Sequence, residues 1–369
     1  MFWKNIIRIW FSVMIVLNMR SLLIFALEGP MYRLGGDSGY FTPAIISSHT
    51  TPYMGYVAIV WLVHSLGWGN EGVVLFQWLI SLVAGGLLYR LTISTTGDRV
   101  ISKIIALYFM TNYELMKWNF FVLSDSLFIS FVIISAWAIA KHSKGKTFFL
   151  GSGLICLFSS IIRPNGFILF LSWVLFVFVP EIITANKKDG LKIFQGILMT
   201  ALFGFSFIFL TRSAGDRGIF LYATNGELIW SNRQWLISKA VESLNTENSL
   251  MGVLVYAVKH PLLFLQLFFG KILVELFRVR PYLPLSYNTF LLANLVPFYL
   301  LSIYAAIHRF TSLKPYLFIT LCQMSLVGLT YADWDGRFLA YVFPLILVMS
   351  SVGLKVLSLR YIKNNEDIH

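Results

Sequence analysis

Residues 72–91 read GVVLFQWLISLVAGGLLYRL, an apolar run in which Arg90 is the one charged side chain. A helix of about 20 such residues is long enough to cross the hydrocarbon core of a bilayer. The rest of the chain has the same character, because 57% of its 369 residues are hydrophobic, 17% are aromatic and only 12% are charged. Soluble domains carry about 25% charged residues. The composition therefore excludes a soluble domain, a disordered chain and a secreted disulfide scaffold, and it predicts an all-α polytopic membrane protein.

The apolar runs predict about ten transmembrane helices, or eleven if residues 261–280 also cross. The ten predicted spans cover residues 8–27, 72–91, 101–120, 123–140, 147–162, 164–182, 192–211, 288–307, 315–331 and 338–357. Lys and Arg number 29 against 17 Asp and Glu, and many of the cations lie in connections on the N-terminal side of the membrane. By the positive-inside rule this side, with both termini, is cytoplasmic. The basic excess is thus a topology signal, and we expect membrane lipids but no nucleic acid among the partners.

The predicted spans divide the chain into three regions. Residues 1–211 form an N-terminal transmembrane core, residues 212–287 an outer-face loop with an interfacial helix, and residues 288–369 the C-terminal helices with a cytoplasmic tail. The core includes a first outer loop, 28–69, which holds a single basic residue. We interpret its apolar stretch 53–66 as an interfacial helix rather than a span.

Residues 261–280 are apolar enough to span, but Lys271, Glu275 and Arg278 recur there at helical spacing. We favour an amphipathic helix in the outer leaflet, because a crossing here would invert every later connection. The alternative is a tilted eleventh span that buries Lys271 and Glu275 as an i,i+4 pair.

The first outer loop contains Gly35-Gly36-Asp37-Ser38-Gly39-Tyr40, a carboxylate with glycines on both sides. A carboxylate that is partly desolvated at the membrane interface has a raised pKa, which suits a general base, and flanking glycines allow a substrate to approach closely. Asp37 is therefore a candidate catalytic base, and Tyr40 in the same motif is a candidate substrate contact. The alternative is a solvated turn with Asp in a common turn position.

Three further polar motifs follow in order along the predicted outer face. They are Ser124-Asp125-Ser126, Arg163-Pro164-Asn165-Gly166 and Asp335-Gly336-Arg337-Phe338. Together with the Asp37 motif, this order resembles the GT-C superfamily of membrane glycosyltransferases that use polyprenyl-phosphate sugars, such as protein O-mannosyltransferases and aminoarabinose transferases. The resemblance covers most of the chain, although each motif is short.

The resemblance implies a GT-C-like helix bundle with outer-face interfacial helices, an acid in the first outer loop as the base, and basic side chains that hold a lipid-linked phosphate. By position, Asp37 resembles that base. Family members often have a second acid beside it, whereas this chain has Ser38, which argues against a paired-carboxylate metal site. Asp125 is similar to an acidic or polar family position that assists, and its alternative role is to N-cap the helix that follows.

Four arginines at predicted outer boundaries are candidates to bind the phosphate of the donor, because a guanidinium matches phosphate geometry. They are Arg163, Arg278, Arg280 and Arg337. Each has the alternative of snorkelling or pairing with a nearby acid, such as Arg337 with Asp333 or Asp335. Lys117 is a fifth candidate, and its alternative is an ion pair with Glu114.

The sequence carries no clear metal or redox site. Asp333-Trp334-Asp335 spells Asp-x-Asp, but on the outer face we interpret it as ordering Arg337 rather than binding a cation. The cysteines, Cys156 and Cys322, lie inside apolar runs and predict neither a disulfide nor a zinc site. We therefore expect no cofactor, and a divalent metal has no support.

The sequence hypothesis is an inverting glycosyltransferase that moves a sugar from a polyprenyl-phosphate carrier to a lipid, glycan or protein acceptor at the external face of the cytoplasmic membrane. One base and several cations are enough, because the phosphate is already a good leaving group. A transporter or flippase of a lipid-linked sugar is the first alternative, and it would show inverted repeats and broken spans with midplane charges. A lipid-linked polysaccharide polymerase is the second alternative.

Overall fold

The computed structural model describes residues 2–34, 38, 41, 50–141, 146–180, 228, 250–280, 282–333 and 336–366. Every named element in these ranges is a helix, and the strand-like contact they contain is an isolated parallel bridge between Arg33 and Phe121. The predicted all-α class is confirmed, and the apolar helices are typical of a membrane-embedded protein.

The helices are numbered here in chain order. They are α1 (Phe2–Leu27), α2 (Met54–Ser65), α3 (Gly69–Thr96), α4 (Arg99–Thr111), α5 (Tyr113–Met116), α6 (Ser124–Ala140), α7 (Lys146–Ile162), α8 (Phe167–Trp173), α9 (Leu250–Lys259), α10 (Pro261–Phe277), α11 (Leu285–Leu329), α12 (Arg337–Ala340) and α13 (Phe343–Glu366). Short 3-10 turns precede α2, α6 and α8 at Thr51–Tyr53, Lys117–Phe120 and Pro164–Gly166, and a π-helical turn, Val174–Phe178, follows α8.

Among the described residues, four helices are long and apolar enough to cross a membrane: α1, α3, α11 and α13. A fifth candidate is the pair formed by α9 and α10, whose axes are bent by 118° at His260. The number is below the predicted ten, because three other apolar helices, at 124–140, 150–162 and 164–178, are only 10–17 residues long. The predicted span at 192–211 lies outside the described residues.

The continuous helix predicted over 101–120 is wrong. α4 ends at Thr111, and Asn112 then adopts an extended conformation with φ −64° and ψ 114°. The side-chain oxygen of Asn112 accepts the N–H of Leu115 at 3.2 Å, which caps the new helix α5. The capping side chain thus satisfies a donor that a helix start leaves without a backbone partner, and apolarity alone could not reveal this break.

The predicted loop between spans 288–307 and 315–331 is a kink within α11. Arg309 has non-helical geometry, with φ −139° and ψ 32°, and the helix resumes after it. Pro315 follows within the same helix and lacks the N–H that a helical hydrogen bond needs. The interruption predicted between the two spans is thus present as a kink at Arg309, with helix on both sides of it.

The described chain divides into two compact units. The first comprises residues 1–177, 297–317 and 342–369, and the second comprises residues 178–296 and 318–341. In the first unit, α3 packs against α4 and α6 and also contacts α2 and α13. Buried apolar side chains of this unit include those of Tyr56, Leu88, Tyr108, Phe128 and Val348.

A tight turn joins α3 to α4 inside the first unit. Gly97 ends α3 with φ +68°, a left-handed conformation that glycine adopts without steric cost. The Asp98 carboxylate then accepts the N–H groups of Val100 and Ile101 at 2.9 and 3.1 Å and caps α4. Lys355 of α13 lies 3.3 Å from the same carboxylate, so this turn also anchors the C-terminal helix.

Candidate functional site

The described residues contain a cluster of buried charge in the second unit and pairs of charged side chains in the first unit. The cationic cluster in the second unit comprises Lys271, Glu275, Arg278, Arg280, Asp333 and Arg337. The first unit contains the Asp125–Arg163 pair. Three of the arginines that the sequence predicted as phosphate ligands therefore belong to one cluster: Arg278, Arg280 and Arg337.

Helix α10 supplies the base of the cationic cluster. Lys271 and Glu275, one helical turn apart, are both 0% exposed, and Leu267 on the same side is also buried. The other side carries exposed apolar residues, including Leu262, Leu265, Phe269 and Leu273. The helix is thus apolar outward and charged inward. The burial of Lys271 and Glu275 was expected of the alternative interpretation of residues 261–280, a tilted span, and not of the favoured amphipathic helix in the outer leaflet.

The end of α10 brings two arginines into the cluster. Arg278 has a left-handed backbone with φ +54°, and its N–H donates to the carbonyl of Val274 at 3.2 Å. The Arg280 guanidinium donates to the same carbonyl at 2.7 Å and to the carbonyl of Asp333 at 2.8 Å. Asn288 holds the Arg280 backbone at both its N–H and its carbonyl, at 3.1 and 2.8 Å. A cation at a helix C-terminus also interacts favourably with the helix dipole.

The described residues from Thr330 to Leu339, a turn that leads into the first residues of α12, are attached to α10 through both buried charges of that helix. The Lys271 ammonium donates to the carbonyl of Thr330 at 2.8 Å. The Glu275 carboxylate accepts the N–H of Asp333 at 2.9 Å through one oxygen and those of Phe338 and Leu339 at 2.7 and 3.3 Å through the other. Helical spacing predicted a pair of Lys271 and Glu275, but it gave no sign that the two residues hold this turn.

Arg337 lies inside this turn. Its Nε is 3.2 Å from the Asp333 carboxylate, so the ion pair expected as the alternative to phosphate binding is present. Gly336 precedes it with φ +67°, and a Cβ there would lie 2.6 Å from Cγ of Arg278. Glycine at this position thus lets the Arg278 side chain lie directly against the backbone. Asp335 and Trp334 lie outside the described residues.

Positive charge predominates in the cationic cluster. The described residues of the cluster include four cations and two carboxylates, and even with Asp335 the segments 271–280 and 330–337 carry four cations against three acids. Lys271, Glu275 and Arg280 are at most 1% exposed. The cluster therefore brings several cations together in a buried setting, where charged groups need compensating partners.

The Asp125–Arg163 pair joins the start of α6 to the end of α7. One guanidinium nitrogen of Arg163 lies 2.9 Å from the Asp125 carboxylate and donates to the Ser124 hydroxyl at 3.2 Å. Leu123 occupies the N-cap position of α6, so Asp125 lies in the first turn and does not take the N-cap role that was its alternative. A carboxylate in the first turn is favoured by the helix dipole.

The flanks of the Asp37 motif lie near this pair. Phe41 is buried and packs against the ring of Tyr53 with centroids 5.6 Å apart. The Arg163 guanidinium lies 5.9 Å from the centroid of the same Tyr53 ring. Asp37 and Tyr40 themselves lie outside the described residues, so their predicted roles are untested.

The segment after α5 is fixed by a buried polar network. The Gln77 amide donates to the carbonyls of Asn119 and Phe121 at 3.0 and 2.9 Å, and the Asn119 side chain accepts the hydroxyl of Ser81 at 2.8 Å. The Arg33 backbone pairs with the same segment, donating to the carbonyl of Phe120 at 2.7 Å. This network fixes the chain just before the Asp37 motif.

Lys117 forms the ion pair expected as its structural alternative. Its ammonium lies 3.2 Å from the Glu114 carboxylate, with the Tyr113 and Trp118 rings at 5.4 and 5.3 Å. The side chain is 12% exposed. These contacts account for Lys117 without a ligand.

No group of three or more His, Cys, Asp or Glu in the described part of the chain could hold a metal ion. Comparisons with protein-family models, curated proteins and solved structures find no match to this chain. The functional hypothesis therefore depends on the motifs and on the geometry of the cationic cluster and the Asp125–Arg163 pair.

Proposed function

We propose that this protein is a GT-C-like inverting glycosyltransferase that takes a sugar from a polyprenyl-phosphate carrier. The observation that carries the proposal is the convergence of Lys271, Arg278, Arg280 and Arg337 in one buried cluster. Guanidinium and ammonium groups are the side chains that bind phosphate, and four of them in one cluster favour an anionic headgroup. The apolar surroundings suit the lipid tail of such a donor.

In the proposed reaction, an acceptor hydroxyl oxygen attacks the anomeric carbon of the sugar. The new C–O bond forms as the bond from that carbon to the phosphate oxygen breaks, and the electron pair leaves with the polyprenyl phosphate. Asp37 takes the hydroxyl proton as general base, and the cationic cluster stabilises the charge that develops on the phosphate. Attack opposite the leaving group inverts the anomeric centre.

The proposal includes the finer topology from the sequence. About ten spans place both termini in the cytoplasm and the reaction at the external face of the cytoplasmic membrane, with a lipid, glycan or protein as acceptor. Asp125 and Arg163 are assigned to the surroundings of the proposed catalytic base, since they lie near Phe41, which follows the Asp37 motif.

The decisive experiment measures release of free polyprenyl phosphate from a labelled polyprenyl-phosphate sugar by the protein in nanodiscs. We expect Asp37→Asn to bind the donor but to lose turnover, because an amide side chain cannot accept the proton of the acceptor hydroxyl. Asp367→Asn in the C-terminal tail is the matched control and should retain turnover. Normal turnover by Asp37→Asn would refute the assignment of the base.

A transporter or flippase is the second candidate, and one observation favours it. α9 and α10 form a bent pair with buried Lys271 and Glu275, as in the broken spans of transporters. A transporter would move the labelled lipid between leaflets and leave its glycosidic phosphate bond intact. Release of polyprenyl phosphate therefore separates the two candidates, and the mass of the product separates a single-sugar transferase from a polymerase.

A further inference from the structure

Glu275 makes an unusual set of contacts for a carboxylate in an apolar helix. It accepts three backbone N–H groups, from Asp333, Phe338 and Leu339, at 2.9, 2.7 and 3.3 Å. These residues lie on both sides of Arg337, so a single side chain of α10 holds the backbone before and after that arginine. Lys271 holds the start of the same turn through the carbonyl of Thr330.

This arrangement fixes the backbone on both sides of Arg337. Glu275 is 0% exposed, so water does not compete for the hydrogen bonds that it accepts from the backbone N–H groups. The Arg337 side chain, by contrast, is 16% exposed. A fixed backbone with a partly exposed arginine side chain suits a preorganised anion ligand.

We propose that Glu275 is a positioning residue that fixes Arg337 for the phosphate of an anionic lipid, an inference that rests on the proposed function. Glu275 does not contact the phosphate in this proposal and acts through the 333–339 turn. The simpler account is that Glu275 only neutralises part of the positive charge of the cluster. The two accounts predict opposite effects of removing its charge.

Glu275→Gln separates the accounts because it keeps the size of the side chain and removes the negative charge. If Glu275 acts through charge alone, the variant leaves the cluster more positive and binds an anion more tightly. If Glu275 positions Arg337, the amide places an NH₂ group against a backbone N–H, the turn shifts, and the anion binds more weakly. Glu275→Asp keeps the charge but withdraws the carboxylate by one methylene, so positioning predicts weaker binding there also.

The experiment measures binding of farnesyl phosphate, and of the uncharged alcohol farnesol, to the full chain in nanodiscs. We expect both Glu275 variants to bind farnesyl phosphate about ten- to a hundredfold more weakly, the range in which small misplacements of a binding group act. Farnesol binding should not change. In an Arg337→Ala background, Glu275→Gln should cause no further loss, because the two residues act in series.

Asp98→Asn is the control for a general loss of stability, because it removes a helix cap and an ion pair in the other unit. This control should lower the unfolding temperature and leave the preference for farnesyl phosphate over farnesol unchanged. Unchanged or tighter farnesyl phosphate binding by Glu275→Gln would overturn the positioning role. So would an equal loss of farnesyl phosphate affinity when Glu275→Gln is introduced into the wild-type chain and into Arg337→Ala. If the wild-type chain itself shows no preference for farnesyl phosphate, the phosphate site of the proposed function fails first.

Discussion

A guanidinium nitrogen of Arg163 lies 2.9 Å from the carboxylate of Asp125, and both side chains are almost fully buried. The two residues come from separate motifs, Ser124-Asp125-Ser126 and Arg163-Pro164-Asn165, which nothing in the sequence connects. Their contact ties the start of α6 to the end of α7. A buried pair of this kind is weak evidence for stability in itself, but loss of one partner leaves an uncompensated charge.

We therefore expect Asp125→Asn or Arg163→Met alone to destabilise the fold by about 3–5 kcal/mol, and the double variant to cost much less than the two losses added together. Thermal unfolding of the purified protein in detergent measures these values. Additive losses would contradict the ion pair, because independent residues do not compensate for one another.

Arg337→Ala should weaken binding of farnesyl phosphate by about tenfold or more, since a charge-assisted hydrogen bond contributes about 1.5–3 kcal/mol. Arg309→Ala, an exposed arginine at the kink of α11, is the matched control and should bind normally. Raising the salt concentration should reduce the difference between wild type and Arg337→Ala. Equal affinities at low salt would count against a phosphate role for Arg337 and leave only its pair with Asp333.

Gly336→Ala should destabilise the turn that holds Arg337 for two reasons. A left-handed backbone costs an alanine about 1–2 kcal/mol, and the new Cβ would lie 2.6 Å from the Arg278 side chain. Gly97→Ala separates these causes, because Gly97 has nearly the same φ, +68°, and nothing within 4 Å of the added atom.

Gly86→Ala completes this series as a control without strain. Gly86 lies inside α3 with open space where the alanine Cβ would lie, so alanine should stabilise the helix by about 0.5–1 kcal/mol. In chemical unfolding, the free energy of unfolding should be highest for Gly86→Ala, lower for Gly97→Ala and lowest for Gly336→Ala. Equal effects at positions 97 and 336 would show that contact with Arg278 is unimportant.

Asp98 predicts a pH dependence of stability. Partial burial opposes its ionisation, but the N–H of Ile101 and the Lys355 ammonium outweigh this effect and hold the pKa of Asp98 below its ordinary value. A carboxylate with a depressed pKa in the folded state stabilises the fold above its unfolded pKa and loses that contribution as pH falls through the folded pKa.

Wild type should therefore lose stability below about pH 4, where an unfolded aspartate begins to protonate, and Asp98→Asn should lack this part of the loss. The measurement is the unfolding temperature of both proteins between pH 7 and pH 3. Lys355→Met is a second test, because removing the ammonium should bring the pKa of Asp98 closer to its ordinary value. Parallel pH profiles for wild type and Asp98→Asn would contradict the assignment.

Local patterns in the sequence predicted the helical class and many of the helices. α1 and α3 cover the spans expected at 8–27 and 72–91, and α2 lies within the apolar stretch 53–66 that was expected to be helical. These predictions succeed because length and apolarity decide whether a segment forms a helix in a membrane. The break at Asn112 was missed, because it depends on the geometry of a single residue inside an apolar run, whereas the kink at Arg309 lies in the connection predicted between residues 307 and 315.

The sequence by itself determined which residues carry charge within an apolar chain and that such charges need partners, since burial of an unpaired charge is costly in any fold. It named Arg278, Arg280, Arg337, Asp125 and Arg163 as candidates. Only the tertiary structure decided which of them meet, because the contacts of Arg280 with Asp333 and of Arg163 with Asp125 join segments 53 and 38 residues apart. The contacts of Glu275 likewise exist only because folding brings its three backbone donors, from positions 333–339, to its carboxylate.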